Sequence, residues 1–252
     1  MPKLINDVFA RAFSDLTLPR SFRQPMSTFL SLPAHLSHES ALILLPPSTI
    51  TAPIQSIRSV HDRNYKRWPP HIKLIYPFLS KPSTQIHTLR ARIREAFNGC
   101  GAFDVELRGE EYFGNGQKNC SVHLAPDGRD FDGAAIAGSD RSFSGRTRIE
   151  GLQRSLQAAF AECDADNRAF EAYLTLGQAR GHDAAKDLEK EAVRVMEDFC
   201  RSQDVGTEAE NQKNENSTWG LHWLVDRVVV VERGGFQDPF EVVAEVLFEK
   251  SI

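Results

Sequence analysis

Two stretches of the chain alternate apolar and polar positions with the period of a strand. In Pro69-Pro70-His71-Ile72-Lys73-Leu74-Ile75-Tyr76-Pro77-Phe78, side chains of an extended backbone divide between two faces. His71, Lys73 and Ile75 share one face, and Ile72, Leu74 and Tyr76 share the other. The second stretch, Phe170-Glu171-Ala172-Tyr173-Leu174-Thr175-Leu176-Gly177-Gln178, has the same grammar. Tyr173, Thr175 and Gly177 share a face, with Leu174 and Leu176 behind them. Each stretch therefore predicts a strand with one face for packing and one available for chemistry.

The remaining pattern surrounds these strands with helices and further strands. Ala41-Leu42-Ile43-Leu44-Leu45, ended by Pro46-Pro47, is long enough for a buried strand and too short for a helix, and is expected beside the His71 strand. Ile54, Ile57 and Val60 fall at helical spacing within a helix expected from Ile50 to Trp68, which Pro69 stops. Ile86, Leu89, Ile93 and Phe97 make an apolar stripe opposite Arg90, Arg92, Arg94 and Glu95. Phe103, Val105 and Leu107 alternate with charges, as Cys120, Val122 and Leu124 alternate with smaller or polar residues, and Gly114-Asn115-Gly116 predicts the hairpin turn between them. A surface loop is expected over residues 126–146. Ile149, Leu152, Leu156 and Phe160 then predict a helix leading into the second motif, as the first helix leads into the first. Another follows on Leu188, Ala192, Val195 and Phe199. The polar stretch 202–217 reads as disordered, and strands are expected over Leu224–Glu232 and Phe240–Glu249, linked at Gly234-Gly235.

Composition narrows the picture. With 252 residues, 41% of them hydrophobic, the chain supports a sizeable core. Residues 1–40 read as a partly ordered arm with a short amphipathic pattern (Leu4, Val8, Phe9, Phe13), and residues 41–252 as the folded domain. The formal net charge of −4 argues against sequence-independent polyanion binding, so any phosphate recognition must be local. Four dispersed cysteines without a Cys-x-x-Cys pair fit neither a zinc site nor a disulfide framework. No apolar run reaches membrane-spanning length, and the N-terminus lacks the apolar core of a signal peptide. The expectation is a monomer in the cytoplasm or nucleus, with reduced thiols and no membrane partner.

The paired stretches resemble the motifs of the two-histidine (2H) phosphoesterases, the superfamily of 2′-5′ RNA ligases and RNA cyclic phosphodiesterases. In that family each motif reads His, any residue, Ser or Thr. The preceding His61-Asp62-Arg63-Asn64-Tyr65-Lys66-Arg67-Trp68, the Pro-Pro step and Leu174-Thr175-Leu176-Gly177-Gln178 are similar to a fungal-type branch, and the likeness spans roughly residues 40–250. It implies an α+β, two-lobed fold in which antiparallel sheets form a central cleft with helices outside. It also implies a hydrolase or phosphodiesterase acting on a 2′,3′-cyclic phosphate or 2′-5′ linkage, with an RNA end or a nucleotide carrying a 2′ or 3′ phosphate as partner. No cofactor and no metal is implied. At two positions the chain departs from the pattern: Lys73 stands for the first hydroxyl residue and Tyr173 for the second histidine.

The reaction needs one group to take a proton from the attacking oxygen and one to protonate the departing ribose oxygen, roles that suit imidazole near neutral pH. His71 and Tyr173 occupy the two catalytic positions, and Lys73 and Thr175 the two phosphate-binding positions. Lysine offers a phosphate a flexible point charge, though a solvated strand lysine fits its position equally well. A phenol with a pKa of about 10 is a poor base, so Tyr173 suits a hydrogen bond, base stacking or simple packing better. His123, His182 and His222 lack the spacing that would place them at the second motif position. Arg63, Lys66 and Arg67 form a basic cluster before His71 that fits either a nucleic-acid backbone or an exposed helix end. Two readings stay open: a 2H phosphodiesterase impaired by Tyr173, or a pseudoenzyme whose cleft serves as an RNA-, nucleotide- or protein-binding module.

Overall fold

A computed structural model describes residues 32–114, 119–127, 144–166, 168–203 and 219–248, with side chains for all but residues 110–114. The expected hairpin turn at Gly114-Asn115-Gly116, most of the 126–146 loop and most of the polar stretch lie outside them. So do residues 1–31 of the expected arm. The described residues include 32–40, which the sequence assigns to the arm. Leu36–Ser37 (β1) pairs antiparallel with Phe78–Leu79 (β4), which ties residues 32–40 to the domain.

Among the described residues eight strands form one antiparallel sheet. In chain order these are β2 (Ser40–Leu44), β3 (Ile72–Ile75), β5 (Phe103–Gly114), β6 (Cys120–Pro126), β7 (Leu174–Ala179), β8 (Leu221–Val225), β9 (Arg227–Glu232) and β10 (Glu241–Leu247). Their order in space is β10-β9-β2-β3-β7-β6-β5-β8. The two motif strands, β3 and β7, are neighbours at the centre, joined by the register pair Ile72–Leu174. Two four-stranded halves thus meet edge to edge at the motifs, so that the two antiparallel sheets expected from sequence are joined into one.

The stretch expected as one strand from Leu224 to Glu232 is divided at Asp226. β8 pairs with β5 at one end of the sheet, while β9 pairs with β2 and β10 near the other. In a flat sheet six strand spacings would separate β8 from β9, about 29 Å. One intervening residue spans only about 7 Å. The sheet must therefore curl, bringing its ends together at Asp226. The bond from the Phe248 N–H to the Asp226 carbonyl, 2.8 Å long, closes this seam, and Arg227 bridges Asp226 and Glu245 at 2.8 and 2.7 Å.

Among the described residues four α-helices cover the sheet: α1 (Ser48–His61), α2 (Ile86–Ala96), α3 (Gly145–Ala159) and α4 (His182–Gln203). α1 and α4 pack against each other and β7, and α2 and α3 pack against each other, with α2 on β10 and α3 on β3 and β5. The expected stripes hold, with Ile54, Ile57, Leu89, Ile93, Ile149, Leu152, Leu156 and Leu188 all buried. α1, however, stops at His61 rather than Trp68, and Val60 faces solvent at 73% exposure. Gly177 explains how α1 comes so close to β7: a Cβ there would lie 2.5 Å from His61 Cβ and 3.1 Å from the His61 backbone. Among the described residues no helix is long and apolar enough to cross a membrane.

Candidate active site

The chain between α1 and β3 is held by a buried ion pair. Asp62 Oδ2 accepts from Arg58 Nε at 3.0 Å and Nη2 at 2.7 Å, and both side chains are 2% exposed. Asp62 Oδ1 accepts from the Asn64 N–H and from Gln178 Nε2, at 2.8 and 3.1 Å, so the same carboxylate ties this turn to β7. Arg58 Nη2 also donates to the Trp68 carbonyl at 2.8 Å. Trp68 is thereby fixed between two rings, Phe240 at 3.7 Å and His71 at 4.5 Å between centroids, both stacked.

His71 follows directly. Its Nδ1 donates to the Pro69 carbonyl at 2.7 Å. A carbonyl only accepts, so the ring proton sits on Nδ1 and Nε2 is left with its lone pair. Burial holds the imidazole pKa down near about 3, with the Lys73 and Arg58 charges acting in the same direction and the Pro69 bond opposing them. At neutral pH His71 is an uncharged ring with an accepting Nε2, the form a general base requires.

A cavity of about 560 Å³ opens over the junction of β3 and β7, and His71, Lys73, Tyr173 and Thr175 all line it. The two motifs converge as their shared period predicts. Continuing the antiparallel register by one residue either side of Ile72–Leu174 sets His71 opposite Thr175 and Lys73 opposite Tyr173. Lys73 is partly buried, and its Nζ lies 5.4 Å from the centre of the Tyr76 ring. Burial, and then Arg168, lowers its pKa. Lys73 thus borders the cleft and is only partly open to solvent. Asp166 and Arg168, paired at 2.6 Å, line the cavity beyond it. The Tyr173 phenol is pushed further above its ordinary range by burial, which removes it as a proton acceptor near neutral pH.

Arg63, Lys66 and Arg67 do not line the cavity. Arg63 reaches its edge through Gln178 Oε1, which accepts from the Arg63 N–H at 3.0 Å and Nε at 3.4 Å. Arg67 lies over the Phe236 ring, 5.6 Å from its centroid, and Lys66 is exposed. Cys163 lines the cavity, but burial pushes its thiol up to about 12, so it carries no thiolate chemistry.

Spacing along one strand missed His123. This residue sits on β6 with its ring centroid 4.3 Å from that of Tyr173, and it lines the cavity. Its register partner on β7 is Thr175, displaced by a bulge after Val122. The signal was present in the alternation of Cys120, Val122 and Leu124: residues between those core positions lie on the face shared with the motif side chains. Burial, then Lys73, lowers the His123 pKa to about 4.

The family model described as the 2′-5′ RNA ligase superfamily matches residues 46–235. The chain belongs to this family. Its 2H phosphoesterase fold, α+β with a curled antiparallel sheet, is the one that the motifs implied. Similar solved structures include Escherichia coli LigT complexed with 3′-AMP (15% identity, 84% of this chain and 99% of that chain, TM-score 0.43). Kluyveromyces marxianus Usb1 is similar at 11% identity, 82% and 98% coverage and a TM-score of 0.40. TT0787 of Thermus thermophilus is similar at 14% identity, 84% and 99% coverage and a TM-score of 0.43. No curated protein matches the sequence. Both His71-x-Lys73 and Tyr173-x-Thr175 fall within the matched residues.

Proposed function

We infer that this chain is a 2H phosphodiesterase whose cleft takes the phosphate of an RNA end or nucleotide, either a 2′,3′-cyclic phosphate or a 2′-5′ linkage. One observation carries the reading: His71, with Nε2 accepting, Lys73 and Thr175 line one cavity at the junction of the two motif strands. His71 takes a proton from the attacking oxygen. The Lys73 ammonium and the Thr175 hydroxyl hold the non-bridging oxygens, where charge accumulates in the transition state.

The motif residues alone leave the site one proton-exchanging group short, since the Tyr173 phenol titrates above its ordinary range. Loss of such a group typically costs about 10² to 10⁴ in rate. That shortfall favours a second reading, in which the cleft holds a 2′- or 3′-phosphorylated nucleotide with little turnover. Hydrolysis of 2′,3′-cyclic nucleotides and of 2′-5′ dinucleotides by the purified chain separates the two. Turnover that falls at least a hundredfold in His71→Ala supports the phosphodiesterase. Nucleotide binding without turnover supports the binding module, and turnover indifferent to His71→Ala overturns the site.

A further inference from the structure

We propose that His123 supplies the second proton-exchanging group of this site, entering from the strand beside the motif strand in place of the histidine that Tyr173 displaces. The inference rests on the phosphodiesterase reading and assigns its missing half to a residue outside both motifs.

The sheet register brings the groups together. Thr175 is the register partner of His123 on one side, and the β3–β7 register continued by one residue sets His71 on its other side. His71, Thr175 and His123 thus form a row across β3, β7 and β6. Two strand spacings separate the outer members, about 10 Å between backbones. Both histidines line the same cavity, which leaves the space above Thr175 between two imidazoles. In-line displacement at phosphorus needs that arrangement, with attacking and leaving oxygens on opposite sides of the phosphate. Tyr173 does not block it. Its ring lies against His123 at 4.3 Å between centroids, tilted by 50°, so the phenol fills the vacated motif position and buttresses the imidazole.

Burial is the main cause that disfavours the protonated form of each histidine, and the Lys73 charge adds to it in both. A phosphate anion bound beside Lys73 offsets that charge and favours an imidazolium next to it. His71, whose Nδ1 proton is committed to Pro69, acts as base, and His123 carries the proton. In the step, a water oxygen forms a bond to phosphorus while the bond from phosphorus to one ribose oxygen breaks. The water proton passes to His71 Nε2, and the His123 proton passes to the departing oxygen. The product is a phosphomonoester with a free ribose hydroxyl, and the two rings exchange protons with solvent before the next turnover.

The test compares wild type, His71→Ala, His123→Gln and the double variant His123→Gln/Tyr173→His on a 2′,3′-cyclic nucleotide, with His222→Ala, an exposed β8 histidine, as control. Titration with the 2′- and 3′-nucleoside monophosphates reports the fold of the cleft independently of turnover. The expected result is a loss of at least a hundredfold in kcat for His123→Gln, with nucleotide affinity changed less than about fivefold, and recovery of at least tenfold in the double variant. Recovery by a histidine on the neighbouring strand is a result that a merely structural role for His123 would not give. An active wild type that needs His71 while His123→Gln turns over within threefold overturns this inference and leaves the phosphodiesterase reading standing. So does a His123→Gln variant whose lost activity Tyr173→His fails to recover although nucleotide still binds. A variant that no longer binds nucleotide points to a structural role and also overturns it. A wild type without turnover overturns both.

Discussion

The Trp68 indole stacks on the His71 imidazole, 4.5 Å between ring centroids and inclined by 18°. With the Nδ1 bond to Pro69, this contact restrains the ring of His71 at the cavity and leaves Nε2 as its accepting atom. A displacement of about 1 Å in such a group costs up to 10² in rate. Trp68→Ala is expected to lower kcat by ten- to a hundredfold, and Trp68→Phe, which keeps a stacking face, by less than about fivefold. Steady-state kinetics on a 2′,3′-cyclic nucleotide check this; equal losses in both variants would remove stacking as the cause.

Behind that contact stands the Arg58–Asp62 pair. Breaking one partner of a buried pair leaves a charge without compensation and typically costs about 3–5 kcal/mol. Asp62→Ala also releases the Asn64 N–H and Gln178 Nε2. Chemical denaturation should show a loss of about that size, with a larger fall in activity than stability alone explains, because Trp68 and Pro69 lose their anchor. Arg58→Met/Asp62→Leu, which replaces both charges by apolar groups, should recover part of the stability and little of the activity.

The sequence made the centre of this fold legible and its seams illegible, for a physical reason. The His71 and Thr175 strands, the Ala41–Leu45 strand beside them and the helix stripes all follow from periodicity within one segment. The break at Asp226 does not: Asp226-Arg227 interrupts the apolar run between the buried Val225 and Val228, but nothing within the segment says that the chain passes there from one end of the sheet to the other. His123 was hidden similarly. Its place beside Thr175 depends on the β6–β7 register and on a bulge, a relationship between strands that spacing along one strand does not express. The exposure of Val60 has the same origin, since helical spacing says which residues share a face but not where α1 leaves the sheet.

Both cleft histidines have pKa values below the ordinary 6.5, about 3 for His71 and about 4 for His123, chiefly from burial. A histidine whose folded pKa is depressed binds its proton more readily in the unfolded chain. Stability is therefore complete above about pH 6.5 and declines as pH falls toward those values, with a slope of up to about 1.4 kcal/mol per pH unit for each ring. Glu162, Asp166 and Asp226, held below the usual carboxylate range chiefly by bonds to Arg92, Arg168 and Arg227, add to the slope only at lower pH. Between pH 6.5 and about 4.5 the histidines dominate. Denaturation at half-unit steps should show this decline in wild type and a flatter profile in His71→Gln and His123→Gln; identical slopes would contradict the burial of these rings.

Lys73 provides the last test, because its charge enters binding and proton transfer separately. Its Nζ lies beside the Tyr76 ring, and no carboxylate among the described residues pairs with it at salt-bridge distance, so an incoming phosphate meets a cation with little competition. Lys73→Ala is expected to weaken binding of a 2′- or 3′-nucleoside monophosphate about tenfold. The slope of log affinity against log salt should fall by about one, the change for one lost phosphate contact. Removing the cation also relieves its opposition to imidazolium, so the His71 and His123 pKa values should rise in the free variant, which NMR titration of the two rings measures. A rise in both rings with an unchanged salt slope would place Lys73 near the histidines but away from the phosphate, and Thr175 would then be left as the motif residue holding it.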